Sequence, residues 1–164
     1  MPALIIKAPT PLPPSLSSPT IFLSGTISPP PAPTWQSTLS TSLSHLAVTI
    51  LNPLRPDWDA SWRENRSDAR FVTQVNWELD GLERADVVVV YFGAEAKAPV
   101  TLLELGLVVG RGKRVVVCCE DGFWKRGNVE LLCEKMGVAY VGSLEELRRV
   151  VVGMLRELGV SVDG

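Results

Sequence analysis

Two runs of consecutive apolar residues, Val87-Val88-Val89-Val90 and Val115-Val116-Val117-Cys118-Cys119, constrain this chain more than any other feature of it. β-Branched residues favour an extended backbone, and a strand with one wet face alternates apolar and polar positions. These runs do not alternate. Both faces of each strand are therefore covered, as in parallel sheets sandwiched between helices. The rest of the chain has the matching rhythm: strands are predicted at 20–24, 47–51, 86–92, 114–119 and 138–141, alternating with helices at about 34–45, 65–84, 100–111, 127–136 and 143–158. The expectation is an α/β fold, a doubly wound (flavodoxin- or Rossmann-like) five-stranded parallel sheet with helices on both faces.

Residues 1–19 contain six prolines and several serines. Proline removes backbone donors, so this segment is expected to be a disordered or loosely docked arm. Residues 20–164 are expected to form one domain, since a single core of this size buries roughly two-thirds of the unfolded surface.

A formal charge of −2 gives no overall attraction for a polyanion, which argues against a nucleic acid polymer or an anionic membrane as partner and favours a small molecule. Cys118 and Cys119 are adjacent, and Cys133 lies in a predicted helix. That spacing fits neither a zinc site nor a disulfide framework, so no metal and no cofactor is expected and the thiols read as reduced. No apolar stretch reaches the roughly 18 residues of a membrane span, and the N-terminus lacks a secretory pattern. A cytoplasmic location is the expectation.

In doubly wound sheets ligands bind beyond the carboxyl ends of the strands, which makes the strand-to-helix loops candidate sites. The first loop, 24–33, offers Ser24, Gly25 and Thr26; glycine permits close backbone approach and the hydroxyls offer hydrogen bonds. An ordinary strand-to-turn junction would look the same. The segment has neither the three-glycine spacing of a dinucleotide fingerprint nor the ending of a P-loop. The second loop, 52–65, concentrates Asn52, Arg55, Asp57, Trp58, Asp59 and Trp62 among prolines. An indole can stack on a nucleobase while Asp and Arg hydrogen-bond its edge, although a structural Arg–Asp pair with core tryptophans would account for the same residues. Gly93, in loop 92–99, is a further candidate for substrate contact.

Glu104 falls about one turn into a helix among Leu102, Leu103, Leu105, Leu107, Val108 and Val109. A carboxylate in apolar surroundings near a helix N-terminus is one way to build a covalent nucleophile; the alternative is an acid on the wet side of the helix. Glu78 shares a helical face with Val75, Leu79 and Leu82, which would turn its carboxylate toward the sheet edge, or else it is exposed. Asp86, at a strand entry, reads as structural, and His45 as a surface residue.

The segments IFLSGTI, WELDGLERADVVVVYF, LLELGLVVGRGKRVVV and RGNVELL together resemble the nucleoside 2-deoxyribosyltransferase-like superfamily over about residues 20–137, a group that includes deoxynucleoside 5′-monophosphate N-glycosidases. The resemblance implies an enzyme that cleaves or transfers the N-glycosidic bond of a nucleoside or nucleotide. It implies Glu104 as the nucleophile that attacks the anomeric carbon, and Glu78 in place of an aspartate that handles sugar and base protonation. It also implies Gly25 and Thr26 as a first-loop wall, Asn128 as a residue reaching the sugar of a neighbouring subunit, and hence a homodimer or higher homo-oligomer. Phe22 stands where the family commonly has a tyrosine that orients the nucleophile, and Ala98-Pro99 where it has an acid or a phosphate-binding serine. These departures leave open an alternative, a binding module of the same fold with weakened catalysis. No PGGxGTxxE segment occurs, which argues against a phosphoribohydrolase of the lysine-decarboxylase-like type.

Overall fold

The structure, a computed structural model, describes residues 2–16, 18–27, 34–58 and 61–162. Its elements run β1 (Leu4–Lys7), β2 (Thr20–Gly25), α1 (Trp35–Ser42), β3 (Thr49–Asn52), α2 (Ala69–Arg84), β4 (Val87–Phe92), α3 (Pro99–Gly110), β5 (Arg114–Cys119), α4 (Arg126–Met136), β6 (Ala139–Val141) and α5 (Leu144–Glu157). All strand pairs are parallel, in the order β1-β3-β2-β4-β5-β6. The sheet thus has six strands, not five. The extra strand comes from the segment expected to be loose: Leu4–Lys7 pairs with Thr49–Asn52 in register, its edge position tolerating the prolines that follow.

The valine runs occupy the middle. Val87–Phe92 is buried at every position, between β2 and β5. Alternate residues feed two cores: Val88, Val90 and Phe92 meet α2, α3 and α4, while Val87, Val89 and Tyr91 meet α1 and α5. Each strand therefore needs apolar side chains on both faces, which is why its sequence does not alternate.

Helix starts follow their caps. The helix predicted from residue 65 begins at Ala69, because Asp68 accepts hydrogen bonds from the backbone of Arg70 and Arg63 while Asn65 turns the chain through Ser67. Helix α1 spans less than the predicted 34–45, ending where the Ser42 hydroxyl bonds the Leu39 carbonyl. Asp86 accepts from the Thr20 amide and ties the entry of β4 to β2, the structural role its position suggests.

The crossovers place the cleft. From β2 the chain moves outward through α1 to β3 on one face of the sheet; α2 then carries it back across β2 to β4 on the other face. The direction of winding reverses between β2 and β4, so the carboxyl end of β2 lies beside an opening that no connection fills. Gly81 sets how closely α2 approaches: a Cβ there would come within 2.7 Å of the Phe22 ring. Phe22, a candidate for substrate contact because it stands in the place of the family's orienting tyrosine, is fully buried against Gly81 and Trp77 and lies outside the pocket lining. The alternation of the strand explains this, since Phe22 lies one step deeper than Ser24 on the same face.

Candidate active site

A pocket of about 340 Å³ opens at the carboxyl ends of β2 and β3, on the face covered by α2 and α3. Ser24 and Gly25 form its floor. The α2 wall contributes Phe71, Gln74, Val75 and Glu78, and the α3 wall Val100, Thr101 and Glu104. Leu54, Arg55 and Trp58 close the side toward β3, with Glu64, Gln36, Pro53 and Ile27 at the margins.

Glu104 is only 7% exposed. It lies in the second turn of α3, whose start is set by Pro99 following Ala98 in a left-handed conformation (φ 47°). The Ser24 hydroxyl donates a short hydrogen bond to Glu104 Oε2. That bond supplies the orienting contact that Phe22 cannot make, from a residue two positions further along the same strand. Burial pushes the Glu104 carboxyl up to about 7; the Ser24 bond acts against the shift and the nearby charge of Glu78 adds to it.

Glu78 faces the same pocket from α2. Its pKa is also raised by burial, opposed by Gln74, whose Nε2 donates to Glu78 Oε1 at 2.8 Å and to the Pro53 carbonyl at 3.0 Å. Two poorly solvated carboxyls thus share one pocket, and the charge of each disfavours ionisation of the other. Leu79, expected on the same face as Glu78, is instead 40% exposed, because the face of α2 turned to the sheet is Gln74, Trp77 and Gly81.

The second loop divides. Arg55 lines the pocket, but its guanidinium is held by both Asp57 carboxylate oxygens, at 2.9 and 2.6 Å, and rests 4.5 Å above the Trp62 ring. The Asp57 hydrogen bond holds Arg55 above its ordinary value. Asp57 is exposed and outside the pocket lining, and Trp62 is buried beneath Arg55 and Arg70. Trp58 is 41% exposed, lines the pocket and leans on Trp62 at 4.5 Å. Asn52 is buried and turned inward, its Oδ1 capping the Leu54 amide. Asp59 and residues 28–33 of the first loop lie outside the described residues.

Three other candidates stand outside the lining. Thr26 accepts the Gly93 amide through its hydroxyl at 3.2 Å and the Trp35 indole through its carbonyl at 2.8 Å, so Thr26 and Gly93 join β2 to the end of β4. Asn128 is exposed in the first turn of α4. Gly25 does line the pocket, but what forbids a side chain there is the protein itself: a Cβ would stand 2.6 Å from the Tyr91 carbonyl and 2.7 Å from Trp35.

Sequence reasoning missed Gln74, Gln36, Phe71 and Thr101. For Gln74 a signal existed, its i, i+4 spacing to Glu78; for Gln36, arriving from α1, none did. Among the described residues no group of His, Cys, Asp and Glu side chains could hold a metal ion, and no helix is long and apolar enough to cross a membrane.

The raised pKa of Glu104 makes stability depend on pH. Its protonated form is the one the fold favours, so the stability tied to Glu104 is fully present below the unfolded value of 4.5 and is lost as pH rises from there through about 7. Glu104→Gln keeps the shape without the charge. We expect this variant to melt above the wild type at pH 8, by up to roughly 3 kcal/mol, and the two to converge below pH 5. Thermal melts across that range check it, and parallel curves at all pH values would contradict it.

The site thus sets a buried, hydroxyl-bonded glutamate opposite a second, partly buried glutamate across a pocket of about 340 Å³. A search of curated proteins finds no match to the chain. The family model described as "nucleoside 2-deoxyribosyltransferase like" matches residues 18–123, more than half of the chain and every element that lines the pocket. The chain belongs to the nucleoside 2-deoxyribosyltransferase-like family.

Proposed function

We propose that this protein breaks the N-glycosidic bond of a nucleoside by double displacement, with Glu104 as nucleophile and Glu78 as acid and base. The observation that carries this reading is the pair of buried carboxyls on facing helices of one pocket. Glu104 is assigned as nucleophile because Ser24 holds one of its oxygens, leaving the other for C1′, and with its carboxyl at about 7 the ionised form that attacks is accessible near neutral pH. Attack on C1′ breaks the bond to the base nitrogen while protonated Glu78 delivers its proton to the departing base. The resulting glycosyl ester is resolved by water, or by a second base, whose proton returns to Glu78. Asp57 is committed to Arg55 outside the pocket lining and is not available as the acid.

The wall charges favour a nucleoside over a nucleotide. Glu64, Glu78 and Glu104 line the pocket, and the lining cation, Arg55, is already chelated by Asp57. A phosphate would enter beside carboxylates without an uncommitted cation to receive it. Trp58, half-exposed against Trp62, is a platform on which a base can stack.

The pocket is open on one side, and next to it Val100, Leu103 and Leu107 stand exposed at helical spacing on α3, with exposed Leu79 of α2 sharing a groove with Leu107. This apolar face supports a homodimer in which Asn128 of one copy serves the pocket of the other.

Incubation with nucleosides and their 5′-monophosphates, followed by chromatography for free base, tests the chemistry. Nucleosides should release base at least about tenfold faster than the monophosphates, a cost of roughly 1.4 kcal/mol or more for the unpaired phosphate, and Glu104→Ala should release none. Release by that variant would remove the nucleophile, and ligand binding without release by the wild type would replace the enzyme with a binding module. Trp58→Ala should weaken nucleoside binding by about 1–3 kcal/mol while moving the melting temperature little, because the indole is already half wet. Normal affinity in that variant would exclude stacking. Light scattering at micromolar concentration should show a dimer that Leu103→Glu dissociates; a fully active monomeric wild type would contradict the shared pocket.

A further inference from the structure

The family match begins at residue 18, yet the residues before it are built into the wall that carries Glu78. From β1 the chain doubles across α2. Ala8 is buried and its amide donates to the Asn52 carbonyl at 3.1 Å, at the end of β3. The Thr10 carbonyl accepts the Trp77 indole N–H at 2.8 Å, and the Pro13 carbonyl accepts Arg84 Nη2 at 2.5 Å. Leu12 packs against the core between these anchors and Leu16 beyond the last of them.

Both routes converge on one carboxyl. Trp77 precedes Glu78 on α2 and is wedged between Thr10 and the Phe22 ring, 6.2 Å away centre to centre, so its orientation sets the rotation of that turn of helix. The Asn52 carbonyl held by Ala8 precedes Pro53, whose carbonyl holds Gln74, which in turn holds Glu78. Ordering a proline-rich segment costs less backbone entropy than ordering most others, and here it fixes one direct contact beside the acid, at Trp77, and one indirect route through Asn52 and Pro53 to Gln74, a turn away.

We propose that residues 8–16 are a strap that positions Glu78, acting through Trp77 as a positioning residue. The proposal rests on Glu78 being the acid of the reaction. The strap holds the Glu78 turn of α2 against the sheet, which keeps water from the carboxyl and fixes it opposite Glu104. Glu104, Glu64 and Arg55 are the other charged groups of that pocket, and the strap itself brings none: between residues 8 and 16 it has no ionisable side chain.

The test is Trp77→Phe in the full chain, which keeps a ring in the core and removes only the N–H donated to Thr10. Two readouts are taken: base release, and the titration of Glu78 followed by NMR of carboxyl-labelled glutamate. In the variant kcat should fall about tenfold with KM within about twofold, as expected for a displaced acid with an intact binding site. The Glu78 midpoint should move down toward the ordinary glutamate value as water reaches it. A lower melting temperature with unchanged kcat and unchanged Glu78 titration would reduce Trp77 to a core residue and overturn the proposal. If the wild type releases no base while the Glu78 midpoint still moves in the variant, the reaction assignment fails and the strap stands. If Trp77→Phe does not fold, Arg84→Met, which frees the strap at Pro13, is read in the same way: a smaller downward movement of Glu78 supports the strap, and no movement overturns it.

Discussion

The burial of the Glu104 carboxyl is the constraint around which the site is arranged. A carboxylate removed from water is unstable unless a donor or a proton compensates it: the Ser24 hydroxyl from β2 is the donor, and burial with the facing charge of Glu78 shifts the carboxyl toward its protonated form. Gly25 and Gly81 let β2, β4 and α2 approach more closely than any side chain would permit, which brings Ser24 and Glu78 to the same pocket. A charge kept at Glu104 opposes folding, because the fold favours its protonated form.

The three parts of the site depend on the core to different degrees. Ser24 sits on a strand inside the sheet and Glu104 on the buried side of α3, so their geometry is as rigid as the fold. The second loop makes its own support, a stack in which Arg55 and Arg70 hold Trp62 and Trp62 supports Trp58. There the Arg55–Asp57 pair and the inward Trp62 follow the structural alternative, while Trp58 lines the pocket. Glu78 depends on contacts from outside its own helix, through Gln74, Pro53, Trp77 and the residues before β2.

A difference from the family pattern can be compensated nearby in space. The tyrosine expected at Phe22 would carry a hydroxyl, and its absence suggests a lost hydrogen bond. In the structure that ring fills the gap left by Gly81, and the hydroxyl comes from Ser24 on the same face of the strand. One residue does the packing and the other the orienting.

The amino-acid sequence by itself determined the parallel sheet covered on both faces, because continuous valine runs have no stable alternative, and it determined that Glu104 would be a carboxylate in apolar company, because its helical neighbours are aliphatic. Those are local properties of composition and period. Only the tertiary structure decided that Leu4–Lys7 adds a sixth strand, that Leu79 faces out, that Asp57 and Asn52 serve the loop rather than the pocket, and that Gln36 and Gln74 reach it. Each of these depends on which distant backbone a side chain meets: an edge strand exists only if β3 offers a free edge, and a helical residue faces a pocket only once packing fixes the helix's rotation. Spacing along the chain holds no record of either.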